Sequence, residues 1–287
     1  MNVLMGDANA NARTHEARKD SSNCDFLIVT RFNMYLKQYS GNRSEEQLQQ
    51  WAWNRLPLFE RFCMRSVHAQ TFRNTNWIVL VDNGNEAIRE AVGAVLPKTS
   101  KFMMHLTNRD DPPHSQIRAA VNRFRQDLNE PKEYIATFRL DCDDAINRHF
   151  IENADLYLRY IDLPGPMERP LALSFPFGMQ VAAKEKYLLT YPHNPFIGLV
   201  ERSDTNIQTV YAANHGYIHN IADVQYIHTR QPMWAQVVHG SNVMNSVYPH
   251  TLAVTTSKQQ DIDLFSVDFN EVELASCNDL TQSCHKF

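Results

Sequence analysis

The sequence predicts an α/β protein, a mostly parallel sheet flanked by helices with a mixed C-terminal extension. Three observations carry that expectation. Strand-like and helix-like segments alternate between residues 25 and 160, the pattern of a doubly wound sheet. Phe26-Leu27-Ile28-Val29 and Trp77-Ile78-Val79-Leu80-Val81 are continuous apolar runs of β-formers, as strands buried on both faces require. Beyond Asp162 the regular helices stop, and Pro164, Pro166, Pro192, Pro195 and Pro232 break the chain into irregular connections.

Taken in order, residues 26–29 are the first strand. Over residues 56–67, Phe59, Phe62, Cys63 and Val67 recur at helical spacing, with Pro57 near the first turn, where a missing N–H costs nothing. Residues 77–81 form a second strand, closed by the turn Asp82-Asn83-Gly84. Strand, helix and strand make a βαβ unit, so these two strands are expected to be parallel. Residues 86–96 read as a helix stopped by Pro97, and 101–106 as a strand. Ile117, Val121, Phe124 and Leu128 stripe a further helix. Residues 134–140 form a strand that runs into Asp141-Cys142-Asp143-Asp144. Ile146, Phe150, Ala154, Tyr157 and Ile161 then mark a helix whose N-terminus those aspartates cap. Residues 171–181 and 207–213 read as strands of the extension. One domain is expected over 24–256, divided near residue 145, after a disordered lead-in over 1–23 and before a polar tail over 257–287.

Composition removes several function classes. The chain has 287 residues, 43% hydrophobic and 21% charged, with a net charge of -4, which offers nucleic acid or an anionic membrane no general attraction. Only 9 residues are glycine and none is spaced G-x-G, so the dinucleotide fingerprint, the Walker A loop and the kinase Gly-rich loop are absent. No nucleophile elbow G-x-S-x-G occurs, and His15-Glu16 lacks the second His of a zincin. The 5 cysteines, at 24, 63, 142, 277 and 284, form no C-x-x-C pair, which points to reduced thiols and a cytoplasmic protein. No apolar run reaches the ~18 residues of a membrane span.

The chemistry concentrates at Arg139-Leu140-Asp141-Cys142-Asp143-Asp144. Three carboxylates in four positions at a strand end repel one another unless a cation compensates. Mg²⁺ or Mn²⁺ would do so, taking Asp141 and Asp143 together with phosphate oxygens of a substrate. The plain alternative is helix capping, which needs one aspartate rather than three.

The segment Leu58-Phe59-Glu60-Arg61-Phe62-Cys63-Met64-Arg65-Ser66-Val67-His68-Ala69-Gln70-Thr71 resembles the helix after the first strand of family 2-type glycosyltransferases, which place a Ser and a Gln-Thr at this spacing. In that family a strand ending in Asp-Asp-Gly-Ser follows; here it ends Asp82-Asn83-Gly84-Asn85. The family's Asp-x-Asp motif comes some sixty residues later, as Asp141-Cys142-Asp143 does here. Thr30-Arg31-Phe32-Asn33 and Trp234-Ala235-Gln236-Val237-Val238-His239-Gly240-Ser241-Asn242 resemble a narrower bacterial group of rhamnosyltransferases. The resemblance covers residues 25–245 and departs from the broad family in three places. Thr30-Arg31-Phe32-Asn33 replaces Pro-x-Tyr-Asn, Asn83 replaces the second Asp, and the acidic pair that supplies the base in inverting members has no clear counterpart.

The resemblance implies a GT-A-like fold. Residues 24–145 would bind a nucleoside diphosphate sugar, and 146–256 would receive a hydroxyl acceptor such as a glycan. It implies that Asp82 contacts the base or ribose, that Asp141 belongs to the nucleotide site and that His239 joins Asp141 and Asp143 on the metal. Arg31 and Arg118 are candidates for the diphosphate, because a guanidinium fork matches phosphate oxygens. Glu201 and Asp204 are the choices for the base. Each carries a bland alternative: a surface arginine, a core histidine or a solvated carboxylate. The rival from another class is a phosphohydrolase of the haloacid dehalogenase type, whose Asp-x-Asp opens its first strand and needs a Thr or Val where Ala145 stands. A third reading is a nucleotide-sugar-binding module without catalysis.

Overall fold

The computed structural model describes residues 22–34, 44–161, 163, 167–182, 185–203, 206–239, 247–249 and 251–269. Strands β1 (Cys24–Arg31), β2 (Thr75–Asp82), β3 (Phe102–Thr107) and β4 (Tyr134–Arg139) pair in parallel in the order β3-β2-β1-β4. The later strands are β5 (Ala145–Ile146), β6 (Leu171–Ser174), β7 (Phe177–Ala182), β8 (Glu185–Thr190), β9 (Gly198–Arg202), β10 (Asp223–Tyr226), β11 (Trp234–Val238) and β12 (Leu252–Val254). Strand β9 joins β4 antiparallel, and β6 and β10 follow it to complete a 7-stranded sheet. A second sheet has 5 strands in the order β12-β8-β7-β11-β5. The expected mostly parallel sheet with a mixed extension is what the chain forms.

The apolar runs explain the centre. Phe26 through Val29 and Trp77 through Val81 are buried, because neighbouring strands and helices cover both faces of β1 and β2. Each such side chain contributes roughly 1.5–3 kcal/mol through burial. The rigid sheet can therefore hold charged residues at its ends. Trp77 closes the core with an indole N–H donated to Thr30 Oγ1 at 2.9 Å.

Helix α1 (Glu45–Leu58) starts before the expected residue 56, at a capping box in which Ser44 and Gln47 bond each other's backbone. Pro57 therefore lies inside a helix instead of at its first turn. A π-helical stretch (Phe59–Met64) follows at once, before the short α2 (Arg65–His68). Helices α3 (Glu86–Val95) and α4 (Pro113–Gln126) stand where periodicity puts them.

Four expectations are corrected. The helix after the aspartates is α5 (Phe150–Ile161), and β5 intervenes, so the aspartates do not cap it. Residues 171–181 are two strands assigned to different sheets, β6 and β7. Residues 207–213 are a loop with a 3-10 turn (Val210–Ala212), because Thr209, at φ 70, turns the chain out of the extended region. Residues 257–269 are not a polar tail: α6 (Lys258–Phe265) is capped by Ser257, and Phe265, Val267 and Phe269 are buried against Phe62 and Val181. The lead-in over 1–21, and Cys277 and Cys284, lie outside the described residues, while Cys24, Cys63 and Cys142 are buried free thiols.

Candidate active site

Because β1 to β4 are parallel, Arg31, Asp82, Thr107 and Arg139 all end at one edge of the sheet. The chain lays β2 on one side of β1 and β4 on the other, so the switch point of the sheet, where such folds bind ligands in a crevice, lies at the carboxyl ends of β1 and β4. Arg31 and Arg139 stand on the two strands that flank it.

Both arginines lie against one ring. Their guanidinium carbons are 5.0 and 4.7 Å from the centroid of Tyr211. Arg31 Nη2 also lies 3.6 Å from Asp141 Oδ1, where the two side chains are 24% and 40% exposed. Tyr211 is fixed from several directions. Its hydroxyl donates to the Val29 carbonyl at 2.9 Å, and the preceding Val210 N–H donates to Thr137 Oγ1 at 2.8 Å. Burial lowers the Arg139 pKa and the nearby Arg31 charge works the same way, yet a guanidinium stays a cation at any physiological pH. Burial also pushes the Tyr211 hydroxyl up, so it remains protonated.

Asp82, at the end of β2, is oriented by its surroundings. Its backbone N–H donates to Asn33 Oδ1 at 2.8 Å, and its Oδ1 accepts from Gly84 N–H at 2.9 Å. Its Oδ2 pairs with Arg109 Nε, and Arg109 Nη1 continues to Glu45 Oε2 at 2.6 Å. Those two carboxylates, Glu45 first, raise the Arg109 pKa.

Behind this open edge lies a buried cluster. Asp143 and Arg55 form an ion pair whose side chains are 5% and 4% exposed, and His239 Nε2 lies 2.9 Å from the same Asp143 Oδ2. Burial would push the Asp143 carboxyl up, but Arg55 and His239 outweigh it and hold it below the usual carboxylate range. Asp144 goes the other way. Burial, with Asp143 and Asp141 beside it, pushes its pKa well up. Its Oδ1 accepts from Val237 N–H at 2.8 Å, while its buried Oδ2 has no hydrogen-bond partner among the described residues.

The motif shared with glycosyltransferases has a structural task here. Ser66 Oγ accepts the Ile146 N–H at 3.2 Å, Gln70 bonds the Asn147 carbonyl at 2.8 Å and the Ile151 N–H at 3.1 Å, and Thr71 donates to Glu152 at 2.8 Å. These bonds tie the end of the helix to the segment that follows the aspartates. They hold the acidic turn against the sheet edge.

A divalent cation does not find a prepared donor set. Among the described residues no three His, Cys, Asp or Glu groups converge as ligands. Asp143 Oδ2 already receives a guanidinium and an imidazole, and Asp141 faces Arg31. Of the residues expected to bind metal, Asp143 and His239 meet, with Arg55 on the same carboxylate oxygen, while Asp141 pairs with Arg31 instead.

The family model described as Putative rhamnosyl transferase matches residues 25–251. The chain belongs to this family. No curated protein matches it. Among solved structures, S. aureus TarS 1-349 is similar at 10% identity with a TM-score of 0.41, covering 74% of this chain and 60% of that one. A protein described as a putative nucleotide-diphospho-sugar transferase, from Desulfovibrio desulfuricans G20, is similar at 10% identity and a TM-score of 0.37, covering 75% of this chain and 81% of its own. The chain thus spans 60% of the length of TarS 1-349.

In this rhamnosyl transferase family member the phosphohydrolase reading finds no support, since Asp141 follows the fourth strand of the sheet and not the first. No helix among the described residues is long and apolar enough to cross a membrane. Of the expected site residues, Arg31, Asp82 and Asp141 stand at the open edge, and Asp143 and His239 meet behind it. Glu201 and Arg118 do not join them. Strand β9 runs antiparallel to β4, so Glu201 pairs with Ile135, four residues back from Arg139 and roughly 13 Å away along the strand. Its carboxylate accepts the N–H groups of Gln208 and Thr209 at 2.8 and 2.9 Å, and burial raises its pKa. Arg118 donates to Asn206 and lies beside Glu201. Asp204 lies outside the described residues.

Sequence reasoning missed Arg55, Arg109, Arg139 and Tyr211. Two of them carried a signal. Arg55 falls on the buried face of α1 with Leu48 and Ala52, a charge at an apolar position. Arg109 follows the end of β3 as Asp141 follows β4. Tyr211 carried none, since it reaches β1 through a loop.

Proposed function

We propose that this rhamnosyl transferase family member moves a sugar, with rhamnose as the first candidate, from a nucleoside diphosphate to a hydroxyl acceptor such as a glycan. In that reaction the bond from the anomeric carbon to the diphosphate breaks. A bond to the acceptor oxygen forms, and the acceptor proton leaves to a base. Negative charge grows on the leaving diphosphate, and positive groups fixed in advance at that place lower the barrier.

The observation that carries the reading is the pair of guanidinium groups flanking the crevice at the ends of β1 and β4. A guanidinium fork matches phosphate oxygens. Asp82, one strand further and paired with Arg109, would accept from a ribose hydroxyl or a base N–H. The two ends lie two interstrand steps apart, ~10 Å, which a nucleoside diphosphate spans.

Incubation with a panel of nucleoside diphosphate sugars and simple glycosides, followed by measurement of nucleoside diphosphate release, tests this. Acceptor-dependent release with a deoxyhexose donor supports the full reading. Binding of nucleotide sugars without turnover on any acceptor would favour the non-catalytic module.

A further inference from the structure

Two cations on one tyrosine ring repel each other, and a fold holds them together only where something compensates. Here the arrangement is built. Glu201 accepts two consecutive N–H groups, Thr209 takes φ 70 between Gln208 and Val210, and Tyr211 is thereby set with its hydroxyl on Val29. Left-handed backbone at a β-branched residue costs on the order of 1–3 kcal/mol and persists where the surroundings over-determine it. It aims one ring at both Arg31 and Arg139. The acidic motif, meanwhile, is divided. Asp141 faces Arg31 at the open edge, whereas Asp143 Oδ2 already holds Arg55 and His239 in the interior.

We infer that the charge of the leaving diphosphate is taken by the protein's own guanidinium groups, Arg31 and Arg139 braced on Tyr211, and that Arg55 occupies the Asp143 carboxylate that would otherwise hold a divalent cation. This rests on the donor reading above and names the groups that serve the diphosphate. Arg31 and Arg139 donate to its oxygens. Tyr211 is a positioning residue, since it acts through the two arginines. Asp143, Arg55 and His239 form the interior support of the acidic turn.

Titration calorimetry of the full chain with UDP, GDP and dTDP, first in excess EDTA and then with Mn²⁺, tests the inference. At least one diphosphate is expected to bind in EDTA, with Mn²⁺ changing its Kd by less than about threefold, where tenfold is about 1.4 kcal/mol. Arg31→Gln is expected to weaken that diphosphate about 10- to 100-fold, the range of a lost charge-assisted hydrogen bond. Affinity for the matching nucleoside, which has no phosphate, should stay the same. Arg31 is part-exposed, so this variant keeps the fold even if an Arg139 variant does not. Arg55→Met should expose Asp143 and His239 and create Mn²⁺ binding, read by the loss of free Mn²⁺ signal in electron spin resonance. Diphosphate binding that appears only with Mn²⁺, or an Arg31→Gln affinity equal to wild type, overturns the inference and leaves the donor reading standing. Failure of every nucleotide to bind in both conditions overturns both.

Discussion

Asp141 and Asp143 are two residues apart and belong to the same motif, yet they live in different media. Asp141 is 40% exposed and faces Arg31 at 3.6 Å, a pair in water that contributes about 0–1 kcal/mol. Asp143 is buried against Arg55 and His239, where losing Arg55 strands a charge in low dielectric. The difference shows that a cluster of like charges can be resolved by sorting as well as by a shared cation. One carboxylate goes to the solvent edge, one to a buried cation, and the third, Asp144, is held where its charge is disfavoured.

The sharpest break of this comparison is Arg55→Ala. It should cost about 3–5 kcal/mol in urea unfolding, because Asp143 is left buried and unpaired. In an Asp143→Asn background the same change should cost far less. Equal costs in both backgrounds would show that Arg55 stabilises by packing on Trp51 alone, whose ring lies 4.5 Å from its guanidinium carbon.

Glu201→Ala is next. It removes the acceptor for two backbone N–H groups, at about 1–3 kcal/mol each where they remain buried. By releasing Tyr211 it should also weaken nucleoside diphosphate binding, although Glu201 pairs with Ile135, four residues back from Arg139 on β4. Unchanged binding in a folded Glu201→Ala protein would detach the Thr209 turn from the site.

Asp143 and Asp144 should respond to pH with opposite signs. The folded Asp143 pKa is lowered, so its contribution is present above the ordinary carboxylate value and is lost as pH falls through the folded one. The folded Asp144 pKa is raised, so its contribution is present below about pH 4 and is lost as pH rises. Asp144→Asn keeps an oxygen for the Val237 N–H and should stabilise the protein at pH 7 by on the order of 1 kcal/mol. That gain should vanish toward pH 4; a gain independent of pH would mean the carboxyl does not titrate in this range.

The smallest effect belongs to Asp141→Asn, which should change unfolding free energy by less than about 1 kcal/mol. A loss as large as that of Asp143→Asn would erase the distinction between the edge and the interior.

Much of this was legible in advance, for local reasons. Apolar runs such as Trp77 to Val81 mark buried strands because only β-formers covered on both faces tolerate that composition. The acidic turn is visible because helix capping needs one aspartate, and three stand within four positions. His239 enters through the resemblance, as a metal ligand, and the structure sets it on the Asp143 carboxylate beside Arg55. Hydrophobic content predicts a strand where the 3-10 turn at Val210 stands, because it does not reveal a positive φ at Thr209. Residues 257–269 were read as polar because the three apolar residues that pack, Phe265, Val267 and Phe269, are spaced by two, outside helical rhythm.

The sequence by itself determined the alternation of strands and helices, the place of the acidic turn at the end of β4 and the exclusion of glycine-rich phosphate loops. All of these follow from residues close together along the chain, where periodicity and steric rules act. The tertiary structure alone decided that Arg55 serves Asp143, that Arg109 holds Asp82, that Glu201 holds the Gln208 and Thr209 N–H groups, and that Arg31 and Arg139 share Tyr211. The physical reason is that a charge takes its role from desolvation and from its partner. Strand order and direction set both, bringing together groups from opposite ends of the chain.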